Sequence, residues 1–250
     1  MHTTRRRFLS LAGGTALGLA IAPRSLRLRA AIVRAQVLPG APSFKGAAGT
    51  TMVGPVALTA GIAVLRAQHN GSDNFGATLF LPAAGEAAQQ SYDLGDFSDS
   101  FGVFNLIGAV KPAGVALIAT PGSYYLMVGA TGAWQISVEQ PLPENVSPVQ
   151  QVSFSGKGQD VSPYFTLPNG LSTISVQTAS NSLYAWLYHL DDLGGEPVEA
   201  GIDVYDGRIF DFTFPGNVPS VPITLPDSGP YLIAVANTLT NSDAWTITLS

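Results

Sequence analysis

The chain has 250 residues, of which seventeen are acidic, twelve are lysine or arginine, and none is cysteine. Disulfides, thiolate metal sites, lipidated cysteines and cysteine nucleophiles are therefore excluded. The length suffices for one large domain or two small ones, each with a core of its own.

Arg5, Arg6, Arg7, Phe8 and Leu9 lead into a weakly apolar segment interrupted by Gly13, Gly14 and Gly18. Phe8 to Ala22 covers 15 residues, short of the about 20 that a spanning helix needs, so no stable membrane span is expected. The pattern Arg5, Arg6, Phe8, Leu9 resembles the twin-arginine (Tat) signal, whose translocon carries proteins already folded. That resemblance implies the Tat translocon as a partner during export, and a secreted, periplasmic or cell-surface location. A cysteine-free chain agrees with folding in a reducing cytoplasm. Val33 and Ala35 supply the small-residue pattern for cleavage after Ala35, which makes 1–35 a signal helix and 36–42 a linker.

Seven of the twelve basic residues and no acidic one fall within 1–35, leaving five against seventeen and a formal charge of −12. Such a balance argues against nucleic acid and anionic lipid as partners, and suits divalent cations or neutral polymers.

The remainder is a tandem repeat with an offset of about 110 residues. Ser43-Phe44-Lys45-Gly46 recurs as Ser153-Phe154-Ser155-Gly156, and Gly61, Gln68 and Gly85-Glu86 recur as Gly170, Gln177 and Gly195-Glu196. Asp93 and Asp96 match Asp203 and Asp206. Each copy closes alike, with Tyr124–Val128 and Trp134–Val138 answered by Tyr231–Val235 and Trp245–Leu249. This is one unit written twice, 43–140 and 151–250, joined by a proline-containing linker at 141–150. Apolar residues alternate with period two, as Trp245, Ile247 and Leu249 do, and Gly and Pro punctuate short runs. The expected fold is all-β: two tandem antiparallel β-sandwiches of jelly-roll or immunoglobulin-like kind.

In the second copy, Phe165-Thr166-Leu167-Pro168-Asn169-Gly170, Ser182 to Tyr188, and Leu225 to Tyr231 followed by the Trp245 strand form a pattern. It resembles the bacterial pre-peptidase C-terminal domain, a secreted β-sandwich that usually accompanies a protease. The resemblance implies an accessory binding module. Ser182-Leu183-Tyr184 stands where that family carries an aspartate-rich strand, so the family's calcium site is not carried over.

Catalysis finds little support in the residue types. Past the signal there are two histidines, His69 and His189, and no Gly-x-Ser-x-Gly elbow to expose a serine. Both histidines are expected at the solvated surface, His69 before the Asn70-Gly71 turn and His189 opposite Tyr184, Trp186 and Tyr188 on one strand. The chain is accordingly read as no enzyme, although paired carboxylates of a glycoside hydrolase are not excluded by spacing. Asp93 and Asp96 (with Asp99 beyond) and Asp203 and Asp206 (with Asp211 beyond) are the candidate calcium ligands; no cofactor is required. Tyr184, Trp186 and Tyr188 are aligned with Phe75, Ala77 and Leu79 and are expected in the core, as are Trp134 and Trp245. Of the adjacent Tyr124 and Tyr125, one is expected outside.

The function that follows is an exported, non-catalytic binding or cell-surface interaction protein, its polymer or protein partner unknown. A carbohydrate-binding accessory protein and a secreted hydrolase are the alternatives. If the two copies serve different partners, the segments Phe97 to Lys111 and Arg208 to Thr224 are where they diverge.

Overall fold

The computed structural model describes residues 41–140, 149, 151–178, 183–189, 208–211, 216–225, 228–236 and 243–250. The signal segment, with Arg5, Arg6, Phe8 and Leu9, and the acidic pair Asp203 and Asp206 lie outside the described residues.

The first eight strands are β1 (Ser43–Gly46), β2 (Gly49–Leu58), β3 (Gly61–His69), β4 (Asn74–Pro82), β5 (Phe97–Ile107), β6 (Ala113–Ile118), β7 (Gly122–Ala130) and β8 (Trp134–Glu139). A short helix, α1 (Ala88–Leu94), joins β4 to β5. They form two sheets in the orders β1-β8-β3-β6 and β2-β7-β4-β5. First pairs with eighth, second with seventh, third with sixth and fourth with fifth, all antiparallel. That is a long hairpin rolled into a jelly roll.

The second set repeats it: β9 (Val152–Lys157), β10 (Asp160–Val161), β11 (Phe165–Leu167), β12 (Gly170–Thr178), β13 (Tyr184–His189), β14 (Arg208–Asp211), β15 (Gly216–Leu225), β16 (Gly229–Ala236) and β17 (Ala244–Leu249). Its sheets run β15-β12-β17-β9 and β10-β16-β13-β14, with β11 also on β16. The pairings are those of the first set, except that the strand equivalent to β2 is split into β10 and β11. In the first copy the same strand stays continuous but shifts register between Val53 and Val56, at Gly54-Pro55.

Alternation fills each interior. Phe75, Leu79, Leu126, Val128, Trp134 and Ile136 belong to the first core, and Ile174, Val176, Leu187, Ile233, Trp245 and Ile247 to the second. Trp134 and Trp245 are both buried, and Tyr124 is buried while Tyr125 is partly exposed. The Tyr124 hydroxyl donates to Asp99 Oδ2 at 2.9 Å and the Thr120 carbonyl at 2.8 Å, pinning the turn before β7. Burial, with the Asp99 carboxylate beside it, pushes this phenol well above its usual range.

A third apolar cluster joins the two sandwiches. Val64 and Ala113 of the first pack with Val161, Tyr188, Leu232 and Ala234 of the second, flanked by Ile62, Leu117 and Trp186. The outer face of β3-β6 thus lies on the outer face of β10-β16-β13, which is why β3 is buried on both sides. The Ala113 amide donates to the Gln159 carbonyl at 3.2 Å, and Gln159 Nε2 donates to the Val103 carbonyl at 3.0 Å.

The equivalent outer face of the first sandwich has its own cover. Phe80 is fully buried among Tyr125, Tyr92 of α1 and Phe97. Ser91 anchors α1 by accepting from the Ala83 amide at 2.9 Å and donating to the Asp96 carbonyl. Gly95, at φ 68°, ends the helix in the left-handed conformation.

Candidate functional site

Register decides what the aromatic strand does. Tyr188 stands opposite Leu232 and Trp186 opposite Ala234, while Phe80 stands opposite Tyr125 and Thr78 opposite Met127. Since Gly229-Pro230-Tyr231-Leu232 is the second copy of Gly122-Ser123-Tyr124-Tyr125, the true counterparts of Trp186 and Tyr188 are Thr78 and Phe80. The expected alignment with Ala77 and Leu79 is one residue off, and in a strand one residue exchanges the faces. Ala185, Leu187 and His189 point into the second core, and Tyr184, Trp186 and Tyr188 point out of it.

Both histidines are corrected by the same geometry. His189 is 7% exposed and packs against Tyr231 at 4.7 Å between ring centroids. His69 is 1% exposed, stacks on Phe75 at 4.8 Å, and its Nδ1 donates to the Gly108 carbonyl at 2.8 Å. They are packing residues, not surface ones.

Trp186 and Tyr188 open onto a cleft of about 430 Å³ between the sandwiches. Its opposite wall comes from β5 and β6, with Gly102, Val103, Asn105 and Leu106 on one and Ala113, Gly114 and Val115 on the other. Those β5 residues fall in the segment that diverges between the copies. Gln159 closes one side; a Cβ on Gly114 would come within 2.8 Å of its amide nitrogen and of Val103. The cleft therefore has aromatic faces, two carboxamides and a phenol, with no ionisable acid, lysine or histidine among its lining residues. Burial pushes the Tyr188 phenol up to about 12, so it remains a neutral donor at any physiological pH.

Charged groups gather nearby. Arg66 Nε lies 3.8 Å from Glu139 Oε1, a carboxylate that is 3% exposed. Tyr164 lies close enough to feel both charges, and burial, followed by Glu139, pushes its phenol well above the usual range. Burial also raises Asp160, against the opposing effects of its hydrogen bond from the Val161 amide and of Arg66.

Asp93 lies in the last turn of α1 and accepts from Gln89 Nε2 at 2.7 Å, and Asp96 is exposed just beyond the helix cap. Asp99 serves Tyr124 instead of joining them. Among the described residues no group of three or more His, Asp or Glu is placed to hold a metal ion. Nor is any described helix long and apolar enough to cross a membrane.

No family model matches the chain, and no curated protein matches it. Among solved structures it is similar to the PBSX exported protein XepA (10% identity, 83% of this chain and 85% of that one, TM-score 0.27). It is also similar to the CBM22-1–CBM22-2 tandem of Paenibacillus barcinonensis Xyn10C (9%, 83% and 86%, TM-score 0.27). A third is a triple jelly-roll protein of an archaeal virus (13%, 86% and 59%, TM-score 0.21). At these scores the likeness carries no argument about function; the fold rests on the strand order itself.

Proposed function

We propose that this is an exported, non-catalytic binding protein whose inter-sandwich cleft takes a neutral, polyhydroxylated ligand such as a short stretch of glycan. The observation that carries this reading is that Trp186 and Tyr188 line one cleft with Asn105 and Gln159, and that no carboxylate is among its lining residues. Sugar rings present apolar C–H faces that stack on aromatic side chains, and hydroxyls that exchange hydrogen bonds with carboxamides. General acid–base chemistry needs a titratable group within reach of the ligand, and Tyr188, held protonated, is a poor candidate. Export is supported by the arginine pair and short apolar segment at the N-terminus. An accessory role also accords with the sequence resemblance to pre-peptidase C-terminal domains.

The test is calorimetric titration of the full chain with neutral oligosaccharides of differing linkage, alongside Trp186→Ala. Saturable binding lost in that variant is the expected result. Binding unaffected by it would remove the cleft from consideration, and no binding to any neutral glycan would overturn the reading.

A further inference from the structure

Three rings stand in file on the outer face of β13. Tyr188, Trp186 and Tyr184 follow one another at every second residue, about 6.6 Å of strand. Tyr188 is 9% exposed and packs in the cluster that joins the sandwiches, whereas Trp186 and Tyr184 are half-buried. The duplication separates the ring that packing needs from those it does not. Phe80, the counterpart of Tyr188, is aromatic and fully buried, but the counterparts of Trp186 and Tyr184 are Thr78 and Gly76. The inner ring is kept in both copies; the two outer rings occur only in the copy whose outer face borders the cleft.

The inner end of the file is walled. Tyr188 carries it into the seam, packing in one cluster with Val64 and Ala113 of the first sandwich and Leu232 of its own. Along the flank, Gln159 ties the second sandwich to both strands of the opposite wall: its carbonyl accepts from the Ala113 amide of β6 at 3.2 Å, and its Nε2 donates to the Val103 carbonyl of β5 at 3.0 Å. That joint is tight, since a Cβ on Gly114 would meet the Gln159 amide nitrogen and a Val103 methyl at 2.8 Å each. Between flank and rings the floor is Ala234, which stands opposite Trp186 on one side and Val161 on the other. The file leaves the cleft in one direction, past Trp186 to Tyr184, which is no longer among the lining residues.

We infer that the cleft, on the reading proposed above, takes the terminus of a glycan chain and not its interior. The last sugar sits over Ala234, stacked on Trp186 and stopped at Tyr188, and the chain leaves along Tyr184. An interior sugar would need a second exit for the unit that follows it, and the seam occupies that place. At about 430 Å³ the cleft is near the low end of ligand pockets, which suits a short terminal piece. Gln159 and Tyr188 are the specificity-determining groups. With its Nε2 engaged by Val103, Gln159 has its side-chain carbonyl to accept from a terminal hydroxyl, and the Tyr188 phenol is a neutral donor.

The test titrates the full chain calorimetrically with cello-, laminari- and xylo-oligosaccharides of increasing length and with soluble polymers of the same linkages. For the linkage that binds, the expected result is one protein molecule per glycan chain at every length, the polymer included. Reducing the reducing end to an alditol, or methylating the non-reducing terminal hydroxyl, is expected to weaken binding about tenfold or more in one case and to leave it unchanged in the other. A number of protein molecules per chain that grows with chain length, or tolerance of both modifications, would overturn the assignment of a terminus and leave the cleft reading intact. No binding to any of these glycans, or binding that Trp186→Ala leaves unchanged, would overturn both.

Discussion

Gly156 faces Trp245 across the β9-β17 pair so closely that a Cβ on the glycine would come within 2.5 Å of the indole ring. Gly46 stands in the same relation to Trp134, with the ring 2.6 Å from the added carbon. Each edge strand dispenses with a side chain so that the largest core residue of its sandwich can lie flat beneath it. Gly156→Ala is therefore expected to destabilise the fold by about 1–3 kcal/mol through overpacking, and Gly46→Ala likewise. Urea unfolding of each variant measures this, and a change under about 0.5 kcal/mol would mean that the indole moves aside freely.

Adjacent residues of β13 are expected to behave oppositely. Leu187 is 3% exposed and faces the core, so Leu187→Ala should lose about 2–5 kcal/mol of stability. Trp186 lies on the outer face, where its replacement by Ala should cost much less stability but weaken glycan binding about tenfold or more. Measuring unfolding and binding on both variants separates the two faces; equal stability losses would show that the strand has been assigned the wrong register.

Tyr124→Phe removes the hydroxyl shared by Asp99 and Thr120, with an expected loss of about 1–2 kcal/mol. Burial raises the Tyr124, Tyr164 and Tyr188 phenols. The folded state therefore holds these protons more tightly than the unfolded chain. Their contribution to stability is complete below the ordinary tyrosine value of about 10, and is lost as pH rises through the raised values. Absorbance titration should show a late-ionising fraction in the native protein that disappears in denaturant.

Asp160 works in the acid range by the same sign. Its folded-state value is raised, burial being the main cause, so the favourable contribution is present below the unfolded value of about 3.9 and fades as pH rises through the raised one. Asp160→Asn retains an oxygen for the Val161 amide. It should raise stability at neutral pH by less than about 1 kcal/mol and flatten the pH profile between mildly acidic and neutral conditions. A loss of stability at pH 7 would instead mean that attraction to Arg66 outweighs burial.

Glycan binding in the cleft is expected to survive chelation, because no carboxylate lines it. Titration in calcium and in EDTA checks this. Loss of binding in EDTA would give the aspartate pairs, Asp93 with Asp96 and Asp203 with Asp206, a part in the ligand site.

Sequence periodicity was enough to specify sheets, the duplication and the burial of both closing tryptophans, since these depend on local alternation and on motifs repeated nearly intact. The aromatic strand was not legible, because inward and outward positions of β13 are both apolar. Ala185 and Leu187 alternate with Tyr184, Trp186 and Tyr188, so only the pairing with β16 settles which set faces in. The histidines misled for a related reason. A polar residue is taken to be outside by default, whereas His69 has a carbonyl acceptor contributed by Gly108, 39 positions away. The cleft itself has no sequence signal, being made where two sandwiches meet.

The seam joins unlike surfaces: β3-β6 of one sandwich against β10-β16-β13 of the other. A head-to-tail joint of this kind has no inherent stopping point, and a third copy could stack on the second as the second does on the first. Both ends are blocked. At one, α1 and Phe97 roof over Phe80, the position that Tyr188 occupies in the seam. At the other, Val64, Arg66 and Leu117 give way to Thr173, Ser175 and Thr224, leaving Leu171, the counterpart of Ile62, isolated at 80% exposure. A polar last surface is how repeat arrays terminate without aggregating. The joint thus stops at two units, and apolar side chains at Thr173 and Thr224 alone would not extend it, because α1 and Phe97 still cover the face on which a further copy would have to stack.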